Sequence, residues 1–252
     1  MHDSGAHREM RTAQEHYETL LGPVYSWMVG DIESALARAA AELDALQLPR
    51  HRGSAAFDLG AGIGLHAVPL AQRGCSVAAI DSCQVLLDEL RTRAGTLPIK
   101  AVNGEILAFR SYVEQPLDVI LCMGDTLTHL PNLASVELLL AEVAASLAKN
   151  GVFATTFRDY ASAPLQAEQR FIPVRSDERR ILTCFLEYGE EQVTVYDVLH
   201  QRDGGEWRQR VSSYPKLRLA PQRVSAKLTA LGLNVRSAAG SGGMLQIVAE
   251  KT

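Results

Sequence analysis

Ala55-Ala56-Phe57-Asp58-Leu59-Gly60-Ala61-Gly62-Ile63-Gly64-Leu65-His66 decides the fold. A short apolar run ends in a glycine-rich turn, and an amphipathic run follows. That is the pattern of a buried strand, a tight loop and a helix N-terminus. Gly60, Gly62 and Gly64 lack the Cβ atoms that would hold a ligand away from the backbone. A second apolar run, Cys75 to Ile80, stops at Asp81. An acidic residue roughly twenty positions past the first glycine is placed to meet the ribose hydroxyls of a nucleoside.

The same rhythm extends on both sides of that turn. Upstream, Asp31 can cap a helix in which Ile32, Ala35, Leu36, Ala39, Leu43 and Leu46 recur at spacings of three and four. Downstream, the pattern predicts a helix over 66–73 closed by Gly74, a helix over 84–94 stopped by Gly95, and a third strand over 98–102 before Gly104-Glu105. A fourth strand over 117–123 is apolar at nearly every position, as for a central strand covered on both faces. A loop over 124–132, a long helix over 133–149 and a fifth strand over 152–157 follow. The chain then reads as antiparallel strands over 180–188, 192–201 and 206–217, with Asp203-Gly204-Gly205 as a hairpin signal. A helix over 221–231 and strands over 233–237 and 244–250 complete it.

Alternation of this kind predicts a mostly parallel α/β sheet with helices on both faces. Ligands bind such sheets at the carboxyl ends of the strands, near the switch point. Gly60-Gly62, Asp81, Gly104-Glu105 and Cys122-Met123-Gly124 all lie at such ends.

Composition narrows the partners. The chain has 252 residues, 47% hydrophobic and 21% charged, with a net charge of −4. Its basic residues are scattered, so neither nucleic acid nor an anionic membrane is an expected partner. Cys75, Cys83, Cys122 and Cys184 form no Cys-x-x-Cys pair and have no histidines at metal-ligand spacing, which predicts reduced thiols and no metal. Residues 1–13 read as a mobile tail without a signal-peptide core, and no run is long enough to span a membrane. A cytoplasmic protein, monomer or homodimer, is expected.

A P-loop is excluded because no lysine follows the turn, and a dinucleotide fingerprint fits poorly because its third glycine position holds Leu65. The run from Phe57 to Gly64 instead resembles the first motif of class I S-adenosylmethionine-dependent methyltransferases. Ala79-Ile80-Asp81 resembles their second-strand acidic motif, and Gly104-Glu105 matches the position after their third strand. The resemblance implies a Rossmann-like seven-stranded sheet with a reversed final strand. It makes residues 160–219 an antiparallel β insertion after the fifth strand, within a methyltransferase domain over 31–252, with residues 1–30 as a lid. The run Gly124-Asp125-Thr126-Leu127-Thr128-His129-Leu130-Pro131 resembles the loop of the glycine/sarcosine and sugar-amine N-methyltransferase group. Those enzymes commonly carry Asn where this chain has Asp125.

The resemblance implies S-adenosylmethionine as cofactor, S-adenosylhomocysteine as product, and a small-molecule acceptor, with an amine nitrogen foremost. Transfer to oxygen or carbon is the alternative within the fold; a non-catalytic cofactor-binding interaction domain is the alternative outside it. Asp58, Gly60, Ala61 and Gly62 would hold the methionyl part, and Asp81 both ribose hydroxyls. Ser82, Cys83, Gly104, Glu105 and Ile106 would meet the adenine, and Cys122, Met123 and Gly124 would pass beneath the sulfonium. Tyr17 and Trp27 would cover the cofactor. His129 has three readings: a contact to the methionyl end, a base for the substrate, or a fastening for its loop. Tyr25 is the other catalytic candidate. Tyr17, Tyr25, Trp27, Arg158, Tyr160 and Tyr214 are candidates for the acceptor side.

Overall fold

The structure is a computed structural model and describes residues 11–46, 48, 53–162, 164–240 and 243–252. Most of the expected N-terminal tail, residues 1–10, lies outside the described residues, as does most of the turn over 49–53. The main sheet holds β1 (Ala55–Leu59), β2 (Ser76–Asp81), β3 (Ile99–Asn103), β4 (Leu117–Cys122), β5 (Leu147–Phe157), β10 (Leu233–Ala239) and β11 (Leu245–Lys251). Their order is β10-β11-β5-β4-β1-β2-β3. β1 pairs in parallel with both β2 and β4, and β11 pairs antiparallel with β5. The connections therefore run outward in opposite directions from β1, which places the switch point at the carboxyl end of that strand.

Burial explains why the five residues of β1 stay extended. All of them are buried, and they alternate between two cores. Ala55, Phe57 and Leu59 face the apolar layer shared with α6 (Leu133–Ser146) and α7 (Pro221–Ala230). Ala56 faces the layer formed by Leu43, Leu70, Leu87 and Leu90 of α3 (Ile32–Ala45), α4 (Ala67–Gln72) and α5 (Gln84–Ala94). The expected Asp31 cap is present: the Ser34 amide donates to its carboxylate at 2.8 Å.

The insertion is a second, antiparallel sheet of four strands in the order β6-β7-β8-β9. These are Phe171–Ser176, Arg180–Tyr188, Gln192–Asp203 and Glu206–Leu217. The sequence pattern foresees three of them. The missed one, β6, is an edge strand with a register shift beside Pro173, and an edge is where a strand tolerates proline. Along β8, Val193, Val195, Asp197 and Leu199 are buried while Thr194, Tyr196 and Val198 are not. Two further boundaries differ. The helix expected to reach Lys149 ends at Ser146, because Leu147 already pairs with Leu117 and Asn150 turns left-handed at φ 62°. A 3-10 turn over Ile106–Tyr112, seated by the fully buried Phe109, was not foreseen.

The N-terminal segment is helical in short pieces: α1 (Ala13–His16), a π turn over Tyr17–Leu21, a 3-10 turn over Gly22–Val24 and α2 (Tyr25–Val29). Leu20, Leu21 and Val24 pack on Leu182 and Leu199 of the insertion. His16 is fully buried, with Nε2 2.8 Å from Asp197 Oδ2 and Nδ1 2.8 Å from Ser212 Oγ. The segment is thus fastened to the insertion, and Gln14 Nε2 donates to the Ser82 carbonyl just past β2. No helix among the described residues is long and apolar enough to cross a membrane.

Candidate functional site

At the carboxyl ends of β1 to β4 lies a cavity of about 400 Å³, a size within the range of small-molecule sites, about 300–1,000 Å³. Its floor is the glycine turn. The amides of Gly60 and Ala61 donate to the Ile80 carbonyl at 2.9 and 3.0 Å, which stitches the turn to the end of β2. Gly60 has φ 73°, and a Cβ there would meet Thr126 Cγ2 at 2.4 Å. Only glycine lets these two loops close on each other.

Asp81 organises one end of the cavity. Its Oδ2 accepts from the Gly62 amide and its Oδ1 from the Cys83 amide, both at 2.8 Å. Each oxygen keeps a further lone pair for a ligand hydroxyl. Burial pushes this carboxyl up from its ordinary range, and the two amides pull against that. Glu105 and Ser82 line the same end of the cavity, and the Gly104 amide donates to the Asp81 carbonyl.

At the other end, two successive left-handed residues, Gly124 (φ 72°) and Asp125 (φ 77°), turn the chain sharply after β4. Their amides are held at 2.9 Å by Oγ1 and the carbonyl of Thr156. That turn delivers His129 to the cavity wall. Its ring lies 5.8 Å from Tyr17 and 5.5 Å edge-on from Tyr214. Burial, reinforced by the Lys216 ammonium, lowers its pKa to about 3, so the imidazole is neutral. Its Nε2 is buried with no hydrogen-bond partner among the described residues. Tyr25 also lines the cavity, and burial holds its hydroxyl protonated, with a pKa of about 12.

Behind the wall is a network that motif reading did not reveal. The Asp125 carboxylate accepts from Lys216 Nζ at 2.5 Å, the Arg158 amide at 3.0 Å, Tyr160 OH at 3.0 Å and Arg158 Nη1 at 3.4 Å. These partners hold its pKa well below the usual range despite burial. The only signal of it in the sequence is Asp125 itself, at a position where the resembling group commonly has Asn.

Of the expected cofactor and catalytic residues, the cavity brings together Tyr17, Tyr25, Gly60, Ala61, Gly62, Asp81, Ser82, Gly104, Glu105, Met123, Gly124 and His129. Four do not line it: Trp27, Cys122, Asp58 and Cys83. Trp27 turns away to the insertion, where its Nε1 donates to Asp177 at 2.5 Å and Arg180 lies 4.6 Å from its ring. Cys122 points into the core below, fully buried. Asp58 is buried beneath the turn, where desolvation raises its pKa to about 6 and Oδ2 finds no partner. On the acceptor side, Arg158, Tyr160 and Tyr214 stand behind the wall rather than in it. Cys83 contributes its amide and not its buried thiol.

Residues 56–151 match the family described as a methyltransferase domain. The chain carries a methyltransferase domain. A curated relative, a glycine/sarcosine N-methyltransferase from Aphanothece halophytica, is 26% identical over 116 residues, 45% of this chain and 43% of that protein. The match thus spans less than half of the relative's length. Among solved structures, the CcbJ methyltransferase from Streptomyces caelestis superimposes with a TM-score of 0.75 at 20% identity, covering 94% of this chain and 98% of that one. CalS10 from Micromonospora echinaspora, an amino pentose methyltransferase solved with S-adenosylmethionine bound, gives a TM-score of 0.68 at 18% identity, over 98% and 100%. The match at residues 56–151 of the methyltransferase domain takes in β1 to β4, the glycine turn, Asp81 and His129.

Proposed function

We propose that the protein transfers the methyl group of S-adenosylmethionine to the nitrogen of a small-molecule amine. One observation carries this reading: the neutral imidazole of His129 lines the same cavity as the glycine turn and the Asp81 carboxylate. The residues fit the cofactor. Asp81 has lone pairs for two hydroxyls, and at Gly124 a Cβ would meet nothing within 4 Å, leaving room beside the sulfonium.

When bound, the cofactor supplies an activated methyl on a sulfonium. In this reading Gly60, Ala61 and Gly62 hold its methionyl part, Ser82, Gly104 and Glu105 the adenine, and Met123-Gly124 the path beneath the sulfonium. Tyr17 and Tyr25 exclude water and hold donor and acceptor in line at about 3–3.5 Å. His129 accepts the N–H of a neutral amine and turns the nitrogen lone pair toward the methyl. With a pKa near 3 it orients the nucleophile better than it could deprotonate it. The segment through Gly30 and residues 160–219 serve as the cover over the acceptor side of the domain over 31–252. The free thiols of Cys75, Cys83, Cys122 and Cys184 suit a cytoplasmic setting.

The relative's name, a glycine/sarcosine N-methyltransferase, favours nitrogen over oxygen or carbon as the target. Calorimetry is the test: S-adenosylmethionine or S-adenosylhomocysteine should bind. Asp81→Ala should weaken binding by about 30-fold or more, as loss of charge-assisted hydrogen bonds requires. Binding of NADH with none of either methyl-donor ligand would overturn the reading. A screen of small amines, read by S-adenosylhomocysteine formed, would then identify the acceptor.

A further inference from the structure

The described residues that line the cavity include no lysine or arginine, but they include Asp81 and Glu105. Two cations stand just behind the acceptor end. Lys216 follows Pro215, which lines the cavity, and its ammonium lies 5.7 Å from the Tyr214 ring that packs on His129. Arg158 follows the end of β5. Both pair with Asp125, Lys216 at 2.5 Å with the two side chains 8% and 2% exposed, and Arg158 at 3.4 Å with its own side chain 43% exposed. An anionic acceptor group arriving at that end would lose its hydration where Lys216 is already spent on Asp125.

We propose that Asp125 sets the acceptor class: by holding Lys216 behind the wall, it restricts the acceptor to amines whose carrier bears no carboxylate. The inference rests on the methyl-transfer reading and narrows it. It separates this chain from its curated relative, which is named for glycine and sarcosine, both carboxylate-bearing amines. Asp125 acts here through Lys216 and touches no substrate, so it is a specificity-determining residue and not a catalytic one. Replacing its charge by an amide leaves a buried ammonium beside the cavity with no counter-ion. Such an ammonium recruits an anion from whatever enters.

The test offers small primary and secondary amines in matched pairs, one member a free carboxylate and the other its primary amide. S-Adenosylhomocysteine binding is first measured on each protein, and kcat/KM is then read from S-adenosylhomocysteine formed. The wild-type protein should prefer the amide by about tenfold or more. Asp125→Asn should bring that ratio toward one or reverse it, whereas a merely structural defect would lower both members together. Equal use of both members by the wild-type protein, including none of either, overturns the proposal. So does a ratio that Asp125→Asn leaves unmoved. Should Asp125→Asn fail to fold, the wild-type ratio decides by itself. Loss of S-adenosylhomocysteine binding in the wild-type protein would sink the methyl-transfer reading; retained binding with a ratio of one would sink only this inference.

Discussion

Nζ of Lys216, on the last strand of the insertion, lies 2.5 Å from Oδ2 of Asp125, in the loop after β4, and both side chains are buried. The pair joins the insertion to the main sheet at the His129 end of the cavity. Removing one member leaves the other charge buried and unpaired, which costs about 3–5 kcal/mol. Asp125→Asn and Lys216→Met are therefore each expected to destabilise by about 3 kcal/mol. The double variant should cost less than their sum by at least about 1 kcal/mol. Urea denaturation of the four proteins closes the cycle, and additive losses would show the two groups to be uncoupled.

Gly60 and Gly124 have the same left-handed backbone but different surroundings. Alanine at Gly60 meets Thr126 at 2.4 Å, while alanine at Gly124 meets nothing within 4 Å. Backbone strain alone is about 1 kcal/mol. Gly60→Ala should thus cost about 2–3 kcal/mol once the clash is added, and Gly124→Ala about 1 kcal/mol. Thermal unfolding measures both. The same ranking in S-adenosylhomocysteine affinity is not expected, because the Gly124 methyl enters the cavity itself.

His129 makes stability depend on acid. Its folded pKa, about 3, lies below the usual value near 6.5 because the ring is buried and Lys216 is close. The unfolded chain binds the proton first. The contribution is complete above pH 6.5 and is lost as pH falls toward 3. It amounts to up to about 5 kcal/mol by linkage. His129→Asn should flatten the acid side of the stability profile, and Lys216→Met should move the His129 titration upward when followed by NMR.

Asp58 has the opposite sign. Desolvation raises its folded pKa to about 6, so the native state holds the proton more tightly than the unfolded chain. Stability then falls as pH rises from about 4 to 6, by about 2–3 kcal/mol. Asp58→Asn should stabilise the protein by about that amount at pH 7.5 and leave it unchanged at pH 4. Chemical denaturation at the two pH values checks this, and an equal effect at both would remove desolvation as the cause.

Much of the site was legible because motif and geometry coincide in this kind of sheet. Gly60, Asp81, Gly104 and Met123 each sit where a strand ends, and parallel strands end on one side. Residues whose direction depends on neighbours were not legible. Trp27 shares a short helix with Tyr25, yet one ring faces the cavity and the other meets Asp177 and Arg180 of the insertion. β6 escaped detection because an exposed edge strand containing Pro173 shows no alternation. Nothing local singles out His16, and only the approach of β8 and β9 gives its ring Asp197 and Ser212 as partners.

Local chemistry, carried in the order of residues, determined the alternating strands and helices, the switch point at β1 and the turn that opens on it. Those features depend on apolar periodicity and on glycine's backbone freedom, which are properties of neighbouring residues. The tertiary structure decided which charges are spent on each other. Asp125 and Lys216 are 91 residues apart, and no periodicity couples them. Their pairing required the insertion to fold back over the β4 loop. Burial then made the bond between them strong and kept their charges out of the cavity.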